Sequence, residues 1–279
     1  MTRKLIIASL SFALFFTACH SKQENKKLSN PSLSPTEQKS DTKEATQSKN
    51  TAAQIYAKPE VPVLCYHRIA EGSKGDYKVS PATFAAHVKI LADSGYHSIS
   101  PAQLYDYLVY NKSLPEKPFL ITFDDSRAEH SAIAAPMLEK HGFRGVFFIM
   151  TITYNKKNYM TKDQIAQLAK SGHTVGLHSW DHTMATKYKT PEDWKKEVAE
   201  PKKKLETITG VPVDYWAYPN GVFNHSSAQE MSKYFKIAFE LSTKRDSLLP
   251  LQCVRRIIIP DVSAQQLLKS MRKSFGKKK

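Results

Sequence analysis

The sequence predicts an α/β protein, a distorted (β/α) barrel of about seven to eight strands folded as a single domain. Two observations carry this expectation. Beyond residue 58, short β-branched or aromatic runs alternate with longer amphipathic stretches, the pattern of parallel strands joined by crossover helices. Polar residues follow several of these runs directly, as in Phe123-Asp124-Asp125 and Leu177-His178, and parallel β/α folds carry their sites at the carboxyl ends of strands. With so many strands in one domain, a barrel is more economical than an open doubly wound sheet.

Taken in order, the strand-like runs cover 61–66, 97–100, 119–123, 145–151, 174–177, 213–217, 236–241 and 257–259. Helical stretches cover 81–94, 101–110, 130–141, 161–171, 191–208, 226–234 and 263–273. Several open on a capping Ser or Thr with proline in the first turn, as in Ser80-Pro81, Ser100-Pro101 and Thr190-Pro191. The hydroxyl satisfies a free first-turn N–H, and proline has none to satisfy.

Three segments divide the chain. Residues 1–18 read as a signal: Arg3 and Lys4 precede an apolar run ending in Phe16-Thr17-Ala18-Cys19. That end resembles a bacterial lipobox, so Cys19 is expected to carry lipid and hold an exported protein at the cell-envelope membrane. A plain secretory signal cut elsewhere is the alternative. Residues 19–57 are polar and nearly free of large apolar side chains, which suits a disordered tether. Residues 58–279 form the predicted catalytic domain and keep +11 of the formal charge of +15. Such a surface suits an acidic polymer or anionic lipid, and for an exported protein nucleic acid is not the expected partner. Cys65 and Cys253 lie in apolar runs, and two buried thiols are expected there rather than a disulfide.

Four strand ends carry unusual polar residues: His67-Arg68, Asp124-Asp125, His178-Ser179-Trp180-Asp181-His182 and Tyr218-Pro219-Asn220-Gly221. In a barrel these distant positions converge on one rim. Two imidazoles four residues apart on a turn, with a carboxylate from another strand, can hold one divalent ion and leave a position open. Of two adjacent carboxylates, one can bind metal while the other takes a proton from water that the ion has acidified. A glycosidase places its carboxylates on either side of the sugar, and immediate neighbours suit that poorly.

These residues resemble the polysaccharide deacetylases of carbohydrate esterase family four, the NodB-like domain, over roughly 61–260. Thr122-Phe123-Asp124-Asp125 matches the first motif and His178-Ser179-Trp180-Asp181-His182 the second. Tyr66-His67-Arg68-Ile69 and Ala217-Tyr218-Pro219-Asn220-Gly221 look like the branch that N-deacetylates poly-β-1,6-N-acetylglucosamine. The resemblance implies that Asp125, His178 and His182 bind a divalent metal, zinc first, with cobalt or nickel as alternatives. It further implies that Asp124 is the general base and that His67 is the general acid; a departing amine needs a proton, so the acid is expected on the opposite side of the site from the base. A backbone N–H of the 218–221 loop, assigned to Asn220, would hold the oxyanion. Tyr218 and Trp180 are candidate sugar contacts, and Trp216 is assigned to the core.

The chain also departs from the family pattern. Ser126 follows the Asp pair where many members have glycine, and Ala217 stands where many have an arginine that orients the base. Arg255 or Arg256 is the candidate replacement. The expected substrate is an envelope or extracellular polysaccharide. Peptidoglycan, chitin oligomers or acetylated xylan would use the same residues. A non-catalytic carbohydrate-binding lipoprotein and an envelope interaction protein with a basic face are the readings from other classes.

Overall fold

The computed structural model describes residues 48–276 except 73, 74 and 76. Cys19, the signal and most of the tether lie outside them. The elements in chain order begin with α1 (Ala52–Ala57), β1 (Val63–Tyr66), β2 (Arg68–Ile69), β3 (Lys78–Val79), α2 (Pro81–Asp93), β4 (His97–Ser98) and α3 (Pro101–Tyr110). Then come β5 (Pro118–Phe123), α4 (Ala135–Glu139), β6 (Val146–Ile149), α5 (Lys162–Lys170), β7 (Thr174–Leu177), α6 (Pro191–Trp194) and α7 (Glu200–Thr209). The chain ends with β8 (Tyr215–Ala217), α8 (His225–Met231), β9 (Ile237–Glu240), β10 (Val254–Arg255), β11 (Ile257–Ile258) and α9 (Ala264–Phe275).

Eight strands run parallel in the order β10-β9-β8-β7-β6-β5-β1-β11, with β4 added beside β5. The two ends of this sheet are neighbours in sequence: β10 pairs with β9, β11 pairs with β1, and Arg256 alone separates them. The barrel is thus nearly closed, and its seam is a single residue. This matches the predicted distorted (β/α) barrel.

Strand residues alternate between two cores, as a period of two requires. Leu64, Tyr66, Ile121, Phe123, Phe147, Ile149 and Leu177 pack outward against Phe84 and Val88 of α2, Leu138 of α4 and Ile165 and Leu168 of α5. Val63, Leu120, Val146, Phe148, Ala217, Ile237 and Phe239 face the lumen, and that cluster continues to Leu104 and Leu108 of α3 and Ile55 of α1. Cys65 and Cys253 are free buried thiols.

Three stretches differ from the sequence expectation. Where one helix was predicted over 130–141 and another over 191–208, residues His130–Ala134 and Lys195–Ala199 are π-helical turns. Helix α1 lies inside the segment assigned to the tether. Its Thr51 cap closes a capping box with Gln54, Ile55 is buried, and Arg245 donates to the carbonyls of Tyr56 at 2.7 Å and Lys58 at 2.9 Å. Asn50 adds a backbone bond to Val109. A chain starting at Lys58 should therefore be less stable than one starting at Lys49 by about 1.5–3 kcal/mol, the burial of one isoleucine. Urea unfolding of the two would show it, and coincident midpoints would mean that α1 adds nothing.

Candidate active site

The strand ends bring the candidate residues to one rim. His67 follows β1, Asp124 and Asp125 follow β5, His178 follows β7, and Arg256 fills the seam. Register explains the convergence: Tyr66 lies beside Phe123, and Leu177 pairs with both Ile149 and Trp216.

One group of donors suits a metal. Asp125 Oδ1 is 3.7 Å from His178 Nε2 and 3.5 Å from His182 Nε2, and the three donor atoms lie within 4.8 Å of one another. Ligands about 2.0–2.3 Å from a tetrahedral ion stand about 3.3–3.8 Å apart, so this spacing fits an ion between them. The tautomer of His178 fits too. Its Nδ1 is 2.7 Å from the Ala217 carbonyl, so Nδ1–H donates there and the Nε2 lone pair faces Asp125. Burial lowers the pKa of His178 although Asp124 and Asp125 oppose it, which favours the neutral, ligating form. The backbone is turned to suit. Asp125, Ser126, Ser179 and His182 all have positive φ, at 73°, 58°, 66° and 76°. Non-glycine residues hold such angles only where their surroundings impose them. Ser126, at the usual glycine position, is held by Met150 N–H donating to its Oγ at 2.7 Å. Ser179 Oγ likewise accepts from His182 N–H at 2.7 Å.

Asp124 occupies a different environment. Arg256 grips it with two parallel bonds, Nη1 to Oδ1 at 2.7 Å and Nη2 to Oδ2 at 2.8 Å, and Nη1 also reaches Thr122 Oγ1 at 3.0 Å. Both side chains are essentially fully buried. Burial alone would raise the Asp124 pKa, but Arg256, with His178 and His67, outweighs it and holds the carboxyl far below the usual range. Asp124 Oδ2 lies 3.9 Å from His67 Nε2 and 4.0 Å from His178 Nε2.

The arginine absent at Ala217 thus has its counterpart in Arg256. Arg255, one residue earlier and facing the other way, instead pairs with Glu60 at 2.9 Å and the Ser274 carbonyl at 2.6 Å. The expected placement of His67 across the site from Asp124 is corrected: the two stand side by side, because β1 and β5 are paired neighbours. Tyr218 is corrected as well. Its side chain is fully buried and packs on Trp216 and Phe223, so it is core and not a sugar contact. Trp216 is buried as expected. Trp180 is partly exposed and lies under the Lys196 ammonium, 4.4 Å from the ring centroid. Asn220 is exposed with φ 58°. The amides beside it are occupied, Tyr218 N–H on the Phe239 carbonyl and Gly221 N–H on the Tyr218 carbonyl. Gly221 is required there, since at φ +67° a Cβ would sit 2.3 Å from Leu241 Cβ.

Two supporting residues escaped the sequence reading. His130, on the first π-helical turn, bonds through Nε2 to the His67 carbonyl and is buried. Glu197, on the second, is buried and accepts from the Trp180 N–H at 3.3 Å, beneath the loop that carries His178 and His182. A π-helical turn re-aims one side chain without ending the helix. Neither turn leaves a periodic signal in the sequence.

The chain as a whole is similar to known proteins. The polysaccharide deacetylase family model matches residues 111–235. YxkH of Bacillus subtilis (strain 168), named for the same family, is 30% identical over 235 residues, 82% of each chain. The peptidoglycan-N-acetylglucosamine deacetylase PgdA of Listeria monocytogenes is 27% identical over 135 residues, 45% of this chain and 28% of that protein. The structure of IcaB from Ammonifex degensii superposes with a TM-score of 0.66 at 26% identity, covering 77% of this chain and 98% of that one.

Proposed function

The chain belongs to the polysaccharide deacetylase family, and from that premise we propose that it removes acetyl groups from N-acetylglucosamine units of an envelope or extracellular polysaccharide, poly-β-1,6-N-acetylglucosamine before others. The observation that carries the reading is the pairing of two distinct environments on one rim. Three ligand atoms converge on an ion-sized space, and beside them a carboxylate is held ionised by a buried arginine.

Zinc or a similar divalent ion bound by Asp125, His178 and His182 would supply Lewis acidity toward the acetyl carbonyl and the attacking water. Asp124 takes the proton from that water as the new C–O bond forms. Arg256 keeps the carboxylate ionised and aimed. His67, 3.9 Å away, is placed to carry the proton to the sugar nitrogen as the C–N bond breaks. An amine leaves poorly unless it is protonated. The Asn220 amide is assigned to the developing oxyanion, where one such donor is worth about 2.7–4 kcal/mol. Trp180 is assigned to stacking on the sugar.

The preference for the β-1,6 polymer rests on the resemblance of the Tyr66–Ile69 and Ala217–Gly221 segments and on His67 preceding the first Asp motif. Peptidoglycan is the second reading, favoured by the likeness to PgdA. Acetate release measured side by side on poly-β-1,6-N-acetylglucosamine, peptidoglycan, chitin oligomers and acetylated xylan should be highest on the first. Greater release from any other polymer would move the assignment there. Lipidation of Cys19 would hold the enzyme at the envelope where such polymers lie.

A further inference from the structure

The proposed mechanism leaves one buried nucleophile at the rim unused, Cys65. Strand β1 turns its Sγ into the lumen beside the acid–base pair, 3.6 Å from Asp124 Oδ2 and 3.9 Å from His67 Nδ1. Cys65, His67 and Asp124 each offer one donor atom, and these lie within 4.8 Å of one another.

We infer that Cys65, His67 and Asp124 form a second, inhibitory site for a thiophilic divalent cation, zinc in excess of the first equivalent. This rests on the roles proposed above for His67 and Asp124. Cys65 Sγ and Asp124 Oδ2 stand 3.6 Å apart, which is the edge of a zinc tetrahedron, about 3.3–3.8 Å, and one imidazole nitrogen of His67 completes a triangle whose sides are all within 4.8 Å. The chemistry differs. The first site offers only nitrogen and oxygen, whereas this one adds sulfur, which selects thiophilic ions over magnesium or calcium.

Charge decides the order of filling. Arg256 already balances Asp124, so holding a further dication requires the thiolate. As the S–Zn bond forms, the S–H bond breaks and its proton leaves to solvent. The first site carries no such cost and fills first. An ion in the second site would occupy the lone pairs of His67 and Asp124 that the reaction needs, so turnover would stop while the first metal stays in place.

The test uses the full chain, stripped of metal and reloaded. With cobalt(II), the first equivalent should give only the weak visible bands of nitrogen and oxygen ligation. Excess cobalt should add a thiolate-to-cobalt charge-transfer band in the near ultraviolet, absent from Cys65→Ser. With zinc, acetate release should rise to one equivalent and fall beyond it. In both Cys65→Ser and Cys65→Ala the half-inhibitory zinc concentration, read against each variant's own maximum, should rise at least about tenfold, the scale of losing one support of a metal site. No charge-transfer band in the wild type at excess cobalt, or an unchanged half-inhibitory concentration in both variants, overturns the inference. Absence of any acetate release at the first equivalent would instead count against the proposed function, while the cobalt band would still report on this site.

Discussion

Asp124→Asn should keep its metal yet lose acetate release by about 10²–10⁴, the usual scale of general-base catalysis, whereas His178→Ala and His182→Ala should lose both. The difference follows from what each group touches. His178 and His182 converge on Asp125, and removing one imidazole leaves two donors where three stood. Both oxygens of Asp124 are instead held by Arg256, so an amide in its place keeps the shape but cannot take a proton. It also leaves the Arg256 charge without its partner, so zinc stoichiometry should be measured on the folded fraction. If Asp124→Asn loses zinc as fully as His178→Ala, base and ligand have been assigned the wrong way round.

The second large effect is expected at the seam. Arg256→Met should destabilise the fold by about 3–5 kcal/mol, because it strands a buried carboxylate rather than removing the pair. Arg256→Lys restores the charge but not the two-pronged grip, and should recover stability only in part and activity less. The effect depends on pH in a definite direction. Because Asp124 is more acidic in the folded protein than when unfolded, the stabilisation is fully present above the unfolded value near pH 4 and is lost as pH falls toward the folded one. Without Arg256, burial governs the carboxyl and raises its pKa. Urea unfolding of wild type and Arg256→Met from neutral to acid pH should therefore show a gap that is widest at neutral pH, begins to narrow above about pH 4 as the variant's Asp124 takes up a proton, and goes on narrowing as pH falls toward the wild type's folded value. A gap that stays constant would mean that the pair contributes by packing alone.

Much of this architecture was legible because strands and helices here obey their periodicities. The run Phe119-Leu120-Ile121-Thr122-Phe123 is buried along its length, and the polar residues that end it mark the rim. The convergence of His67, Asp124, Asp125 and His178 followed from strand ends alone. Other features depend on geometry that a single sequence does not display. Arg255 and Arg256 are adjacent and chemically identical, and only a barrel seam one residue wide decides which of them faces Asp124. The burial of Tyr218 follows from the turn after β8, where a 3₁₀ segment over Pro219–Gly221 directs the chain away and leaves the ring among Trp216 and Phe223. Helix α1 is a six-residue segment at the end of a polar stretch, and its anchoring depends on one isoleucine and on Arg245, which is far away in the chain. Glu197 and His130 reach the site through π-helical turns, where the ordinary helical spacing would have aimed them elsewhere.

Metal-assisted deacetylation at this rim is tested by acetate release from poly-β-1,6-N-acetylglucosamine by metal-stripped protein, before and after one equivalent of zinc is restored. No release above background is expected before restoration, and full recovery after it. Equal release in the two states, or none in either from folded protein that has taken up its zinc, would contradict that mechanism.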